Sequence, residues 1–301
     1  MVKVRVPAST SNLGSGFDCL AMALNLYLRV EMGFNTKTEI QSMGKEGSQI
    51  PTTADNLILQ AARKIFAKSN QPFPNLRIRI ENEIPLFRGL GSSGAATVAG
   101  LLCGNVLANA RAGLEEILLL ANEFEGHPEN AAASLLGGAT INCLSEGRII
   151  AKRFQVDENL AAVLLIPDAT IATHEARAVL PRTVNHSDAV FNLQRSALLA
   201  HALISRDYDA LKCAMQDRLH QPFRKKLIPY FDEFETVGYD CAALGVCISG
   251  SGSAILGICL TGESTILATA WTDLRMRLKL GGEVLTRGFE NRGAEIVGAE
   301  C

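Results

Sequence analysis

The chain has 301 residues, 48% of them hydrophobic and 20% charged, and 29 basic against 31 acidic side chains leave a formal net charge of -2 at pH 7. That apolar content suits one large core or two modest domains and excludes a disordered chain, while the charge balance offers no basic field for nucleic acid or an anionic membrane. A small-molecule partner is expected, and the eight scattered cysteines, with no CxxC pair, read as free thiols of a cytoplasmic protein rather than disulfides or a zinc site.

Residues 1–6 alternate as a strand and lack the apolar core of a signal peptide, and no run is long and apolar enough to span a bilayer. Pro7, Gly14 and Gly16 then turn the chain before an apolar run toward Val30, which delivers Asn12 and Asp18 on a loop at the end of a sheet element. An amide and a carboxylate there can meet an ammonium or hydroxyl group; capping and turn formation account for the same residues. Residues 36–50 are polar and mixed and give no element, 55–66 read as a helix, and NLRIRIENEIP at 75–85 alternates as a half-buried strand.

PLFRGLGSSGAATVAG (85–100) follows that strand and leads into a small-residue helix predicted over 94–110. Gly89, Gly91 and Gly94 free the backbone to bring its N–H groups together at a helix N-terminus, Leu90 can anchor the loop in the core, and Ser92 and Ser93 add hydroxyls. This chemistry suits an anion, phosphate above all, although a tight turn with a helix cap has the same composition. The stretch is neither GxxxxGK[ST] nor GxGxxG, which weakens both a P-loop ATPase and a dinucleotide-binding domain.

After a helix at 114–125, EFEGHPENAAASLLGG (123–138) crowds Glu123, Glu125, His127, Glu129 and Asn130 between two helices. Carboxylates are hard ligands suited to Mg²⁺, and His127 and Asn130 can orient an amino acid or a sugar hydroxyl; a solvated connection with Pro128 opening the next helix is the alternative. Hairpin-like strands follow over 137–147. A fresh buried strand at 160–167 sets a boundary near 155–160, dividing the chain into 1–157 and 158–301. If 170–177 is helical, Thr173 and Arg177 share a face and can hold a carboxylate, as can Arg224 in DRLHQPFRKKLIP; an exposed surface charge is the competing reading for each arginine. His186 and His220 are expected to make local hydrogen bonds. Helices are predicted over 188–204 and 208–219, with a third ending near 236. Strands at 246–248 and 254–260 flank SGSGS, which reaches the same ligand or makes a hairpin turn. An amphipathic segment at 263–280 and a closing run through Val297 complete an α+β chain in two parts.

In this order, VRVPASTSNLGSGFDCLAMAL, the glycine-serine loop, EGHPENAAASLLGG, LPRTVNHSDAVFNLQRSALL, DRLHQPFRKKLIP and ISGSGSAILGI resemble the homoserine kinases of the GHMP small-molecule kinase family along almost the whole chain. The resemblance implies a two-domain architecture: an N-terminal ATP-binding domain like the second domain of ribosomal protein S5, and a ferredoxin-like C-terminal domain contributing to the substrate cleft. It implies transfer of phosphate from magnesium ATP to the side-chain hydroxyl of L-homoserine, giving O-phospho-L-homoserine on the route to threonine. Many cytoplasmic enzymes form dimers, so a homodimer is admitted. By motif position, Asn12, Asp18, His127, Asn130, Thr173, Arg177 and Arg224 match the homoserine group, with Asp18, His127, Asn130 and Arg177 nearest the chemistry. Pro85, Arg88 and the run Gly89, Leu90, Gly91, Ser92, Ser93, Gly94 and Ala95 match the ATP-binding stretch, and Asn56 falls where the family meets adenosine. Ser93 is expected near Mg²⁺ with Glu125, favoured over Glu123. Glu129 replaces the family's usual aspartate, and Ser251 and Ser253 stand where alanine and proline are usual. A GHMP kinase for a sugar or mevalonate-like alcohol, and a non-catalytic metabolite-binding protein, are the alternatives.

Overall fold

The structure, a computed structural model, describes residues 1–299; Cys301 lies outside them, and the other seven cysteines are free thiols. The chain opens with β1 (Val2–Ser11) and β2 (Leu20–Phe34), then β3 (Glu39–Gly44), α1 (Leu57–Lys68), β4 (Leu76–Asn82), α2 (Ser92–Leu107), α3 (Leu114–Glu125), α4 (Glu129–Leu136), β5 (Ala139–Ser145) and β6 (Arg148–Phe154). These strands form a sheet of order β1-β2-β4-β3, with the β5–β6 hairpin paired to the start of β2. β4 shows why the sheet has one covered face: Leu76, Ile78 and Ile80 are buried and alternate with exposed Arg77, Arg79 and Glu81. The apolar side packs with α1 and α2 into a common core.

The second half contains β7 (Leu160–Pro167), α5 (Thr173–Ala178), α6 (His186–Ser205), α7 (Leu211–Ala214), α8 (Gln221–Arg224), α9 (Phe231–Asp240), β8 (Gly245–Ile248), β9 (Ile255–Leu260), α10 (Ser264–Arg277), β10 (Gly282–Gly288) and β11 (Glu295–Ala299). Its antiparallel sheet has the order β10-β7-β9-β8. LAAVLLIP lacks polar alternation because β7 is buried on both faces. Ala161, Val163 and Leu165 meet Phe231, Phe234 and Trp271, whereas Ala162, Leu164 and Ile166 belong to the core shared with the first half.

Three expectations need correction. β3 occupies part of 36–50, where no element was expected; it is an edge strand with no buried residue, held by parallel pairing to β4, and therefore carries no hydrophobic pattern. The helix expected over 208–219 stops at Ala214, because the Asp217 carboxylate accepts the N–H groups of Leu219, His220 and Gln221 at 2.9, 2.9 and 2.6 Å and turns the chain into α8. A division at 157/158 does not describe the last strand: β11 pairs antiparallel with β1 and completes the first sheet at seven strands.

Candidate active site

The glycine-serine loop is clamped between the end of β1 and the loop joining β8 to β9. Gly89 and Gly91 have φ of 73° and 68°, and a Cβ at either would lie 2.0 Å from another atom, the Ser249 carbonyl oxygen and Ser9 Oγ respectively. Ser249 Oγ donates to the Gly89 carbonyl at 2.7 Å and shares a 2.9 Å bond with Thr10 Oγ1; Ser9 N–H donates to the Leu90 carbonyl at 3.1 Å. α2 begins at Ser92, two residues before the expected start. Its first N–H groups face an opening rather than carbonyls, the arrangement that binds anions.

Not every residue of that stretch faces ligand space. Leu90 and Ala95 are core residues, and Gly94 lets α2 approach Asn130 and Ala131 on α4. Arg88, expected with the nucleotide residues, is turned away. Its guanidinium donates to the carbonyls of Pro167, Leu86 and Asp168 at 2.7, 2.6 and 3.1 Å and pairs with Glu46 at 2.7 Å, so it joins the two sheets. Pro85 lines a separate recess beside Lys45 and Glu283.

Two cavities meet at the loop. One, of about 270 Å³, is polar; the other, of about 170 Å³, is largely apolar and lined by Ile50, Pro51, Leu57 and Ala96. Phe87, Ser92 and Ser93 line both. Asn56 forms part of the apolar wall as the N-cap of α1, accepting from Leu59 N–H at 3.1 Å and donating to the Pro51 carbonyl at 2.6 Å.

At the polar cavity, Ser93 Oγ lies 2.6 and 2.5 Å from the two oxygens of Glu125, and Thr97 Oγ1 lies 3.4 Å from one of them. Burial raises the Glu125 pKa against the pull of these hydroxyls. Among the described residues Glu125 has hydroxyl donors but no salt-bridge partner, which is what a cation-accepting carboxylate requires. Glu123 points elsewhere and pairs with Lys64 at 2.7 Å. No group of three or more histidine, cysteine or acidic residues among the described residues forms a complete metal cage. One carboxylate and a hydroxyl fit Mg²⁺, which takes its other ligands from water and substrate phosphates.

The opposite end carries the substrate candidates. Arg177 on α5 grips Asp18 with bonds of 3.1 and 2.8 Å, and Thr173 lies on the same cavity wall. Asn12 fixes two loops, donating to the Gly250 carbonyl at 2.8 Å and accepting from Asp18 N–H at 3.0 Å. Arg224 is 2% exposed; it donates to the carbonyls of Ala176 and Gly250 at 3.3 and 2.9 Å, with His220 Nδ1 at 3.3 Å. Burial, with Arg177 nearby, lowers its pKa to about 10, which leaves it a cation at neutral pH. His220 lies below the cavity: its Nε2 is 2.8 Å from the Gly14 carbonyl and its ring stacks on Phe17.

His127 and Asn130 flank the cavity from α4 and the turn before it. Asn130 accepts from Ser9 Oγ at 3.0 Å and donates to Ser11 Oγ and Glu129 Oε1 at 3.0 and 3.1 Å. His127 Nδ1 sits 3.0 Å from Glu129 Oε1, and among the described residues Nδ1 and Glu129 Oε2 are buried without a hydrogen-bond partner. Burial pushes the His127 pKa down, the Glu129 and Glu125 carboxylates outweigh it, and the net shift is upward.

The structure thus gathers Asn12, Asp18, His127, Asn130, Thr173, Arg177 and Arg224 around one cavity beside the anion-binding loop. Sequence reasoning did not assign Phe87 or His174 to it. His174 adjoins Thr173, a signal that adjacency supplies, whereas Phe87 reads as an ordinary core aromatic. The arrangement offers cations for one carboxylate, acids for an ammonium or metal, and backbone N–H groups for phosphate.

Residues 56–138 match the family of GHMP kinases N terminal domains, and residues 199–272 match the GHMP kinases C terminal family. A homoserine kinase from Desulfitobacterium hafniense is 37% identical over 297 residues, covering 99% of this chain and all of that protein. One from Caldanaerobacter subterraneus subsp. tengcongensis is 43% identical over 256 residues, 85% of this chain and 82% of that protein. The crystal structure of a homoserine kinase from Cytophaga hutchinsonii superposes with a TM-score of 0.87 at 26% identity, covering 98% of this chain and 97% of the other.

Proposed function

The chain belongs to the homoserine kinase branch of the GHMP kinase family, and we propose that its joined cavities hold the two substrates, with adenosine of ATP in the apolar recess and L-homoserine in the polar cavity. The enzyme transfers the γ-phosphoryl group of ATP to the homoserine side-chain hydroxyl, giving O-phospho-L-homoserine and ADP. The observation that carries the substrate assignment is Arg224: a buried guanidinium, bonded to carbonyls and a histidine rather than to a carboxylate, opens into the cavity beside the phosphate loop. A substrate carboxylate satisfies it.

Arg177 and Thr173 complete the carboxylate end, while Asp18 and Glu129 face the ammonium. His127 and Asn130 place the hydroxyl toward the phosphate loop, and the N–H groups of Ser92, Ser93 and Gly94 hold phosphate oxygens. Ser93 and Glu125 would hold Mg²⁺, which when bound neutralises charge on the phosphates. Alignment and charge neutralisation are what phosphoryl transfer chiefly requires, so the reading assigns no dedicated base. The product enters the route to threonine. We assign the enzyme to the cytoplasm; among the described residues no helix is long and apolar enough to cross a membrane.

The test is an assay with Mg²⁺ and ATP that measures ADP and O-phosphohomoserine together, with L-serine, L-threonine and mevalonate as comparison substrates. Stoichiometric phosphohomoserine with little product from the others is expected. A different phosphorylated product moves the substrate elsewhere in the family, and binding without turnover makes the protein a metabolite binder.

A further inference from the structure

Phe87 stands where the two cavities meet and lines both. The residue is 58% exposed and belongs to neither main hydrophobic core, so folding gains little from where the ring sits. Its backbone nonetheless holds φ at 57°, a left-handed conformation that bulky residues avoid. Bonds on either side keep it there. Leu86 N–H donates to Glu46 Oε2 at 2.6 Å, the Phe87 carbonyl accepts from Ile171 N–H at 3.1 Å, and Arg88 ties the carbonyls of Leu86, Pro167 and Asp168 together. A disfavoured backbone thus presents an aromatic ring to the junction of two cavities that Ser92 and Ser93 also line.

We propose that Phe87 is a positioning and solvent-excluding residue for phosphoryl transfer: its ring covers the passage between nucleotide and amino acid, so that the homoserine hydroxyl and not water receives the phosphoryl group. This inference rests on the assignment of the two cavities to ATP and homoserine. In the productive reaction the bond from the γ-phosphorus to the β–γ bridging oxygen breaks and leaves ADP, a bond to the homoserine hydroxyl oxygen forms, and the hydroxyl proton moves to a phosphate oxygen and reaches solvent when the products leave. With water in place of the hydroxyl the same bonds change and the product is inorganic phosphate. An apolar cover suppresses the second outcome by excluding water from the reacting centre.

The experiment compares the full-length enzyme with Phe87→Ala, Phe87→Gly and Phe87→Tyr, measuring ADP, O-phosphohomoserine and inorganic phosphate with Mg²⁺, ATP and L-homoserine. For the alanine and glycine variants, ADP should exceed phosphohomoserine by roughly twofold or more, with inorganic phosphate making up the difference. The KM for homoserine should rise on the order of tenfold. Tyrosine should restore near-equal yields. Phe87→Gly removes the backbone conflict, so a melting temperature at or above that of the parent separates lost coupling from lost folding. Equal ADP and phosphohomoserine at unchanged KM in the alanine and glycine variants overturns the inference alone. Absence of phosphohomoserine from the unaltered enzyme overturns the cavity assignment and the inference with it.

Discussion

Arg177 and Asp18 meet through two hydrogen bonds of 3.1 and 2.8 Å, joining a helix of the second half to the loop that follows β1. Their side chains are 37% and 35% exposed, so the pair adds little to stability. Its consequence is positional: Asp18 fixes the Arg177 guanidinium and sets its own negative charge at the end of the cavity assigned to the substrate ammonium. Asp18→Ala should therefore raise the KM for homoserine about tenfold or more and change the KM for ATP less than about twofold. Steady-state kinetics with each substrate varied checks this, and equal effects on both would remove Asp18 from the amino-acid end.

Glu125 provides a prediction of opposite signs for stability and activity. Burial raises its pKa in the folded chain, so above its ordinary range the folded state is penalised for holding the charge, and a neutral isostere relieves that penalty. Glu125→Gln should melt at the same temperature as the parent or higher without nucleotide. It should lose the added stability that Mg²⁺ and ATP confer, and its kcat should fall on the order of a hundredfold. Thermal melts with and without magnesium nucleotide decide it; an unchanged nucleotide response would exclude Glu125 as the metal carboxylate.

His220 makes stability depend on acidity. Burial lowers its pKa to about 4, against an ordinary value of about 6.5, so between those values the unfolded chain binds more protons. The stability held by the neutral ring is complete above about pH 6.5 and falls as pH descends toward 4, by on the order of 3 kcal/mol. His220→Gln should be weaker at pH 7.5, having lost the stack on Phe17, but show a flatter decline. Urea midpoints at pH 7.5, 6 and 5 provide the comparison, and parallel curves would count against the assignment.

At Gly89 a single methyl group is predicted to separate the two glycine loops. The added Cβ meets the Ser249 carbonyl, a backbone atom that cannot rotate aside, on a residue already at positive φ. Gly89→Ala should cost about 2 kcal/mol or more and weaken ATP binding, read by urea denaturation and nucleotide titration. A variant of parental stability would mean that the loops are not held as described.

The site was legible where chemistry is written in short stretches. Glycines and serines before an apolar run announced a loop that opens a helix onto the cavity, and EGHPEN announced a polar patch beside it. The motif could not tell a residue that faces the ligand from one that supports the loop: Arg88 and Ser93 lie five positions apart, yet one is consumed by three carbonyls and the other opens onto both cavities. Motif position favoured Glu125 over Glu123, but only the position of Lys64 shows which carboxylate is occupied. In the fold, β4 was readable from its alternation, while β3 was hidden because a partner strand and not a buried face defines it.

The pairing of β11 with β1 sets a schedule for synthesis. The edge of the first strand receives its mate from the far end of the chain, after translation has traversed nearly the whole sequence. At ordinary elongation rates that interval is some tens of seconds. Throughout it the nascent N-terminal sheet offers an unpaired strand to any neighbour, so a ribosome stalled late in the message leaves a product whose first domain is open at its edge. A truncation that removes only β11 reproduces that state in the released protein.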